Sequence, residues 1–279
     1  MPFAGLRVLS LESRRAKEIE GYIERLNGDA FVAPSVAERV VEQDGVAAAF
    51  LKQLESGAFD LLICMTGTGL AFLRDLVAAE MPVERLAVAL RKITIVSRGP
   101  KPVPILRSLD VPVSVVVPEP NTWREIVEAV AARPERSIAV QEYGRPNLQM
   151  NAALEALGAT VTPMTIYRWT LPDDVAPLRE AVRRLSSGQV DTVIFTSSIQ
   201  LDHLLEVARE MNLEDRVYSA LRHDVVVASV GPVMTEWLEA HVIPVDIIPK
   251  HPKMASLVKT AADESAVLLL KKRALRASN

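Results

Sequence analysis

The chain has a single cysteine, Cys64, so no internal disulfide can form, and its four histidines (His203, His223, His241, His251) share no ligand spacing with it or with one another. No structural metal is expected, and Cys64 reads as a small core hydrophobe near a strand end. No apolar run approaches the roughly 18 to 20 residues that a membrane helix needs. The apolar run in the opening MPFAGLRVLSLES is too short for a signal-peptide core, so a cytoplasmic location is expected. The formal net charge is −3, which denies the chain the broad basic field that holds nucleic acid. Cations for an anionic ligand must therefore be gathered locally. A nucleotide loop is missing too: TGTG at 66–69 is not followed by Gly-Lys-Ser/Thr and lacks the third glycine of a dinucleotide turn. No cofactor is expected.

What the chain does have is a repeat. ITIVSRGPKPVPILRSLDVPVSVVVPEP (93–120) returns as VVVASVGPVMTEWLEAHVIPVDIIPKHP (225–252). An offset of 132 pairs Ser97 with Ser229, Gly99 with Gly231, Pro100 with Pro232 and Leu106 with Leu238. Upstream, an offset of 131 pairs Asp60 with Asp191, Leu70 with Leu201 and Arg91 with Arg222, and an offset of 130 sets Glu12 and Gly28 against Glu142 and Gly158. The segments run a, b, a′, b′ over almost the whole chain, which is a duplication.

Each copy alternates short β-branched runs (RVLSL, DLLICMTG, ITIVS, SIAVQE, TVIFTS, VVVASVG) with helical patterns. Strands that are apolar throughout are buried on both faces, and intervening helices are how parallel strands are joined. The expected fold class is α/β, with two doubly wound parallel-sheet domains. Two extended, proline-bearing stretches break the rhythm, FVAPSVAERVV (31–41) and VTPMTIYRWTLPDD (161–174), and read as crossings between domains. The same pattern also admits a tandem arrangement in which each domain is one contiguous copy.

Ligands of open parallel sheets bind beyond the carboxyl ends of the strands. The loops there, such as 65–69, 97–101, 141–145, 196–198, 229–232 and 250–253, are rich in hydroxyls and cations. Glycine permits a sharp turn after the strand, and proline at the first helical position removes only an amide that the helix leaves unpaired. The following amides and the helix dipole form an anion seat. Arg98, Lys101, Arg145, Arg168, Lys250 and Lys253 lie in or beside these loops and crossings and supply local positive charge.

VDTVIFTSSIQLDHL (190–204), VVVASVGPVMTEWL (225–238), VDIIPKHPKMASLV (245–258) and VTPMTIYRW (161–169), in that order and spacing, resemble the uroporphyrinogen-III synthase family, and the resemblance covers nearly the entire chain. SRGPKPV, PEPNTWREI and VQEYGRPN point to a divergent bacterial branch in which this module can be fused to a regulatory domain. The resemblance implies the swapped arrangement, with residues 1–35 and 168–279 as one domain and 36–167 as an inserted second. It also implies a two-stranded linker and a cleft between the domains. The implied reaction closes hydroxymethylbilane, a linear tetrapyrrole bearing several carboxylates, into uroporphyrinogen III with inversion of ring D and loss of water, without metal or cofactor. Tyr167 matches the family tyrosine whose phenol assists departure of the hydroxyl, and Thr196, Ser197, Ser229 and Gly231 match the second copy's hydroxyl loop and turn. Thr66, Ser97, Arg98, Gly99, Lys101, Arg145, Arg168, Thr235 and Lys253 complete the expected substrate-binding set.

Several positions depart from the family pattern. Pro102 and Met234 stand where a threonine is common, Leu11-Glu12 replaces a Thr-Arg pair, and Gly67 replaces a serine. Two other function classes are weighed against the cyclase: a non-catalytic tetrapyrrole- or anion-binding regulatory module on the same fold, and a two-domain sugar or amino-acid receptor, for which three Trp and four Tyr are few. The expected partner is the small tetrapyrrole alone, with no nucleic acid and no membrane, and a monomer is expected because each copy buries its own sheet.

Overall fold

The structure is a computed structural model that describes residues 2–41, 45–142, 144 and 146–277. The chain divides into two compact units, the first formed by Met1–Ala37 with Thr170–Asn279 and the second by Glu38–Trp169.

The first segment of unit 1 carries β1 (Arg7–Ser10), α1 (Ala16–Arg25) and β2 (Asp29–Val32). Next along the chain come β3 (Ala37–Val40), α2 (Val46–Glu55), β4 (Leu61–Cys64), α3 (Gly67–Glu80), α4 (Val83–Leu90), β5 (Thr94–Ser97), α5 (Val103–Ser108), β6 (Val115–Val116), α6 (Trp123–Ala131), β7 (Ser137–Glu142), α7 (Leu148–Ala156), β8 (Thr160–Thr165) and β9 (Tyr167–Thr170). The chain then adds α8 (Ala176–Ser186), β10 (Thr192–Phe195), α9 (Ser198–Glu210), α10 (Glu214–Ser219), a π-helical turn (Ala220–Asp224), β11 (Val226–Ser229), α11 (Pro232–Ala240) and α12 (Met254–Ala277). No helix among the described residues is long and apolar enough to cross a membrane.

Unit 1 has the strand order β11-β10-β1-β2, unit 2 has β6-β5-β4-β7-β8, and β3 and β9 form a separate two-stranded sheet. Every pairing within the two larger sheets is parallel. Successive residues of β4 enter opposite cores: Leu62 and Cys64 join one cluster, Leu61 and Ile63 the other. Val193 and Ile194 of β10 divide in the same way. Both faces are covered by helices, which is why these strands read as unbroken apolar runs. Each such side chain taken from water contributes about 1.5–3 kcal/mol.

The repeat survives in the backbone register. In unit 2 Val96 pairs with Val115, and in unit 1 Ala228 bridges Ile247, each 132 positions further on. Leu61 pairs with Ile138 as Thr192 pairs with Val8, so the copies exchange halves: β4 and β10 correspond, and β7 and β1 correspond. A side-chain staple is duplicated as well. Arg91 donates to the carbonyls of Asp110 (2.8 Å) and Leu109 (3.2 Å), and Arg222 donates to those of Val242 (2.9 Å) and His241 (3.2 Å).

Three features differ from the sequence expectation. The stretch 113–117 is strand only at Val115–Val116. Helices α2, α4 and α8 go beyond the expected alternation, burying Leu51 and Leu54, Leu86 and Leu90, and Val182 and Leu185 against the sheets. Finally, α5 does not start at Pro100 but at Val103, after the Pro102 cap. Lys101 precedes a proline and is disfavoured in the helical region, which pushes the helix start beyond it.

Candidate functional site at the carboxyl ends of the strands

In unit 2, β4 and β5 are neighbours, with Cys64 opposite Ser97, so the loops that follow them rise side by side. Thr66 is the N-cap of α3, and its hydroxyl accepts from the Gly69 amide at 3.0 Å. Such a cap contributes about 1 kcal/mol. The Thr66 amide donates to Oε1 of Gln141 at 3.1 Å, and Gln141 is completely buried. The phenol oxygen of Tyr167 lies 3.3 Å from the Thr66 hydroxyl, and its ring packs 5.7 Å from that of Phe72. Tyr167 is itself buried. Thus a tyrosine on β9 meets the hydroxyl loop of β4 across 101 positions of sequence.

Glycines make this crowding possible. A Cβ at position 69 would overlap the Gln141 amide, and one at position 67 would stand 2.6 Å from the Lys101 carbonyl oxygen. Gly99 has φ +73° and faces Asn121, whose side-chain oxygen is buried without a hydrogen-bond partner. Ser97 is buried and donates to the Gly99 carbonyl at 2.7 Å, which locks the turn. Arg98 is half-buried, while Lys101 and Arg168 are exposed. Arg145 lies outside the described residues. Cys64 is buried, and burial pushes its thiol up to about 12, so it is a core residue and no nucleophile.

Unit 1 builds a second loop cluster of different chemistry. Ser197 caps α9 through a capping box with Gln200, whose Oε1 accepts from the amides of Thr196 (2.8 Å) and Ser197 (3.3 Å). The Thr196 hydroxyl donates to Glu12 Oε2 at 2.6 Å and accepts from Gln200 Nε2 at 2.8 Å, while the Arg15 amide donates to Glu12 Oε1. Ser229 donates to the Gly231 carbonyl, repeating the Ser97 lock, and accepts from Thr235 Oγ1 at 2.9 Å. Pro252 packs over Gly231, so the exposed Lys253 follows directly beside this turn. Met234 points into the core, which accounts for an apolar residue there, and Thr235 supplies the hydroxyl one position later.

The sequence-predicted residues therefore gather in two groups: Thr66, Ser97, Arg98, Gly99, Lys101 and Tyr167 in unit 2, and Thr196, Ser197, Ser229, Gly231, Thr235 and Lys253 in unit 1. Sequence reasoning named Gln141 only as part of the 141–145 loop and missed Gln200. The Ser-Ser-Ile-Gln pattern of a capping box was a readable signal for Gln200, whereas Gln141 works across 75 positions and gave none. Among the described residues no group of three or more His, Cys, Asp or Glu side chains could hold a metal ion.

A model of the family described as uroporphyrinogen-III synthase HemD matches residues 17–259. The chain belongs to the uroporphyrinogen-III synthase family. Its relatives are divergent. It is 26% identical over 261 residues to an uncharacterized protein, YjjA, of Bacillus subtilis (strain 168), covering 91% of this chain and 94% of that one. It is 36% identical over 88 residues to a putative uroporphyrinogen-III synthase of Methanothermobacter thermautotrophicus, a match covering 32% of this chain and 34% of that one. Among solved structures it is similar to a mutant uroporphyrinogen III synthase of the extremely thermophilic bacterium Thermus thermophilus, with a TM-score of 0.68 at 22% identity, covering 98% of this chain and 100% of that one. The synthetase of Helicobacter pylori 26695 is similar at a TM-score of 0.51 and 13% identity, covering 95% and 99%. At such identities these likenesses carry the family fold.

Proposed function

We propose that the chain is a uroporphyrinogen-III synthase, a cofactor-free lyase that closes hydroxymethylbilane with inversion of ring D and loss of water. The observation that carries this reading, together with family membership, is the Tyr167 phenol held 3.3 Å from the Thr66 hydroxyl at the end of β4. A phenol of ordinary pKa near 10 keeps its proton at neutral pH and can donate it. Tyr167 gives that proton to the terminal hydroxyl of the substrate. The carbon–oxygen bond breaks, water departs, and the pyrrole nitrogen supplies the electron pair that fills the vacated carbon. The substituted α-carbon of ring D bonds to that carbon, giving a spiro intermediate; its bond to the old methylene bridge then breaks, the freed methylene bonds the other α-carbon of ring D, and the proton lost there balances the one given. For the carboxylates, the loops of unit 2 offer the N-terminus of the fourteen-residue α3, flanked by Arg98 and Lys101. Those of unit 1 offer the N-terminus of α9 and Lys253.

The test supplies fresh hydroxymethylbilane and resolves the I and III isomers of the product. Accelerated formation of isomer III is expected, and a Tyr167→Phe variant should retain it at a rate lower by about tenfold to a hundredfold, short of a full general-acid loss of about 10²–10⁴. Wild-type protein giving only background isomer I would refute catalysis.

One observation favours a second reading. Glu12 places a carboxylate on the Thr196 hydroxyl, where it repels a carboxylated ligand. This suits a non-catalytic tetrapyrrole-binding module whose ligand keeps its carboxylates off this rim. In that case the assay would show tight binding of the cyclic product with no isomer III formed.

A further inference from the structure

We propose that Gln141 is a positioning residue for Tyr167, acting through Thr66; this rests on the reading of Tyr167 as the proton donor. Thr66 is fixed from two sides. Its amide donates to Gln141 Oε1 at 3.1 Å, and its hydroxyl accepts from the Gly69 amide at 3.0 Å. Gln141 is anchored in turn by its Nε2, which donates to the carbonyl of Glu142 inside a fully buried site. A threonine hydroxyl already accepting from Gly69 keeps one proton to give, and the Tyr167 phenol oxygen stands 3.3 Å away. A hydrogen bond donated to that oxygen stabilises the phenolate that forms as the Tyr167 proton passes to the departing hydroxyl, so the phenol becomes the stronger acid.

The duplicated loops serve the same amide from different elements. In unit 1 the corresponding amide, that of Ser197, is also taken by a glutamine, but that residue is Gln200, on the first turn of α9, and the position matching Gln141 is Leu11, which is buried. Position 200 corresponds in turn to Gly69. The same amide group is therefore delivered from the helix in one copy and from the neighbouring strand in the other. Moving it to the strand leaves glycine at 69, and the Thr66 hydroxyl is then shared between Gly69 and Tyr167; in unit 1 the counterpart of Thr66 is Ser197, and the hydroxyl held between Gln200 and Glu12 is that of Thr196, one position earlier.

The experiment follows isomer III formation from hydroxymethylbilane in wild type, Tyr167→Phe, Gln141→Leu and the double variant Gly69→Gln/Gln141→Leu, which installs the unit 1 arrangement. Tyrosine labelled with ¹³C at Cζ reports the phenol's hydrogen bonding, with the Tyr167 signal assigned by its loss in Tyr167→Phe. Gln141→Leu is expected to lower kcat by about ten- to a hundredfold with KM little changed, as for a slightly misplaced catalytic group, and to move the Tyr167 carbon signal. The double variant should recover most of both. Thr66→Ser should keep kcat within about twofold and Thr66→Val should lose it as Gln141→Leu does, an arm that stands even if Gln141→Leu fails to fold. Unchanged kcat together with an unmoved Tyr167 signal in folded Gln141→Leu or in Thr66→Val overturns the inference. A Tyr167→Phe variant as fast as wild type instead removes the reading on which it rests.

Discussion

Removing the charge of Asp191 should destabilise unit 1 by about 2 kcal/mol at neutral pH. The carboxylate lies at the start of β10 with its side chain only 8% exposed. It accepts from the Arg7 amide and the Arg7 Nε, both at 2.9 Å, and from Arg273 Nη2 at 2.7 Å, so it ties β1 and α12 to one point. Burial alone would push the carboxyl up, but the hydrogen bonds and charge of Arg7, with Arg273, outweigh it and lower the value from 3.8 to about 2. At about 1.36 kcal/mol per unit, that shift corresponds to a little over 2 kcal/mol favouring the folded state. Because the folded value is the lower one, this stability is present in full above the unfolded pKa and is lost as pH falls through the folded one. Linkage gives about 2 kcal/mol at pH 7, just over 1 at pH 3 and under 0.5 at pH 2. Asp191→Asn keeps an acceptor oxygen but not the charge. Trp237 is the one tryptophan of unit 1, so urea unfolding of the full chain in a Trp123→Phe/Trp169→Phe background reads this unit. A loss of about 2 kcal/mol should move the urea midpoint by about 1 M, given m-values of roughly 1–3 kcal/mol/M. A shift worth less than about 0.5 kcal/mol at pH 7, or one as large at pH 2 as at pH 7, would refute the assignment.

Glu12→Gln should tighten binding of a polycarboxylated tetrapyrrole by about three- to tenfold, since it removes a like charge held directly on the Thr196 hydroxyl while keeping an acceptor there; calorimetry at fixed ionic strength checks this, and weaker binding would show that the carboxylate itself helps hold the ligand. Cys64 should resist a water-soluble thiol reagent at pH 8 until the protein unfolds, because the thiol is buried and held near 12; stoichiometric labelling of native protein would contradict that. Gly99→Ala should cost about 1–3 kcal/mol in chemical denaturation, because the residue sits at φ +73° and its new Cβ would overlap Asn121.

The sheets were legible because both faces of each strand are buried, leaving unbroken runs such as LLIC and TVIF, and the duplication was legible as matched Gly-Pro corners. Secondary structure without that contrast was less visible. The start of α5 depended on how Lys101 is constrained by the proline that follows, and α2 opens on Gly45 with no capping side chain to announce it. At the site, local chemistry could be read and distant chemistry could not. The Thr66 and Ser197 caps follow from residue type at a helix start, whereas Thr66 meets Gln141 and Tyr167 only because parallel pairing brings β7 beside β4 and β9 returns past the same strand ends. Glu12 was visible as a departure from the family pattern, but its tie to Thr196 spans 184 positions.

The exchange of halves between copies explains why two near-identical sheets carry unlike rims. A tandem duplication would give each copy its own complete set of loops, free to stay alike. Here the first unit joins the earliest a segment to the last b segment, and the second joins the inner b and a′ segments. Every rim therefore combines residues whose counterparts lie in the other unit, and compensating changes must occur in pairs: glutamine at 141 with glycine at 69, or leucine at 11 with glutamine at 200. Each pair satisfies the amide of the capping residue, Thr66 or Ser197, so that bond is common to both rims and cannot account for their difference. What differs is the group set against the hydroxyl. In unit 2 Tyr167 stands against the capping hydroxyl of Thr66, and in unit 1 Glu12 stands against the hydroxyl of Thr196, one position before the matching cap Ser197. A phenol can give a proton to a leaving hydroxyl, whereas an ionised carboxylate has none to give. If the proposed cyclase reaction holds, substitutions at Thr66 and Tyr167 should act on kcat, while those at Glu12 and Thr196 should act on binding.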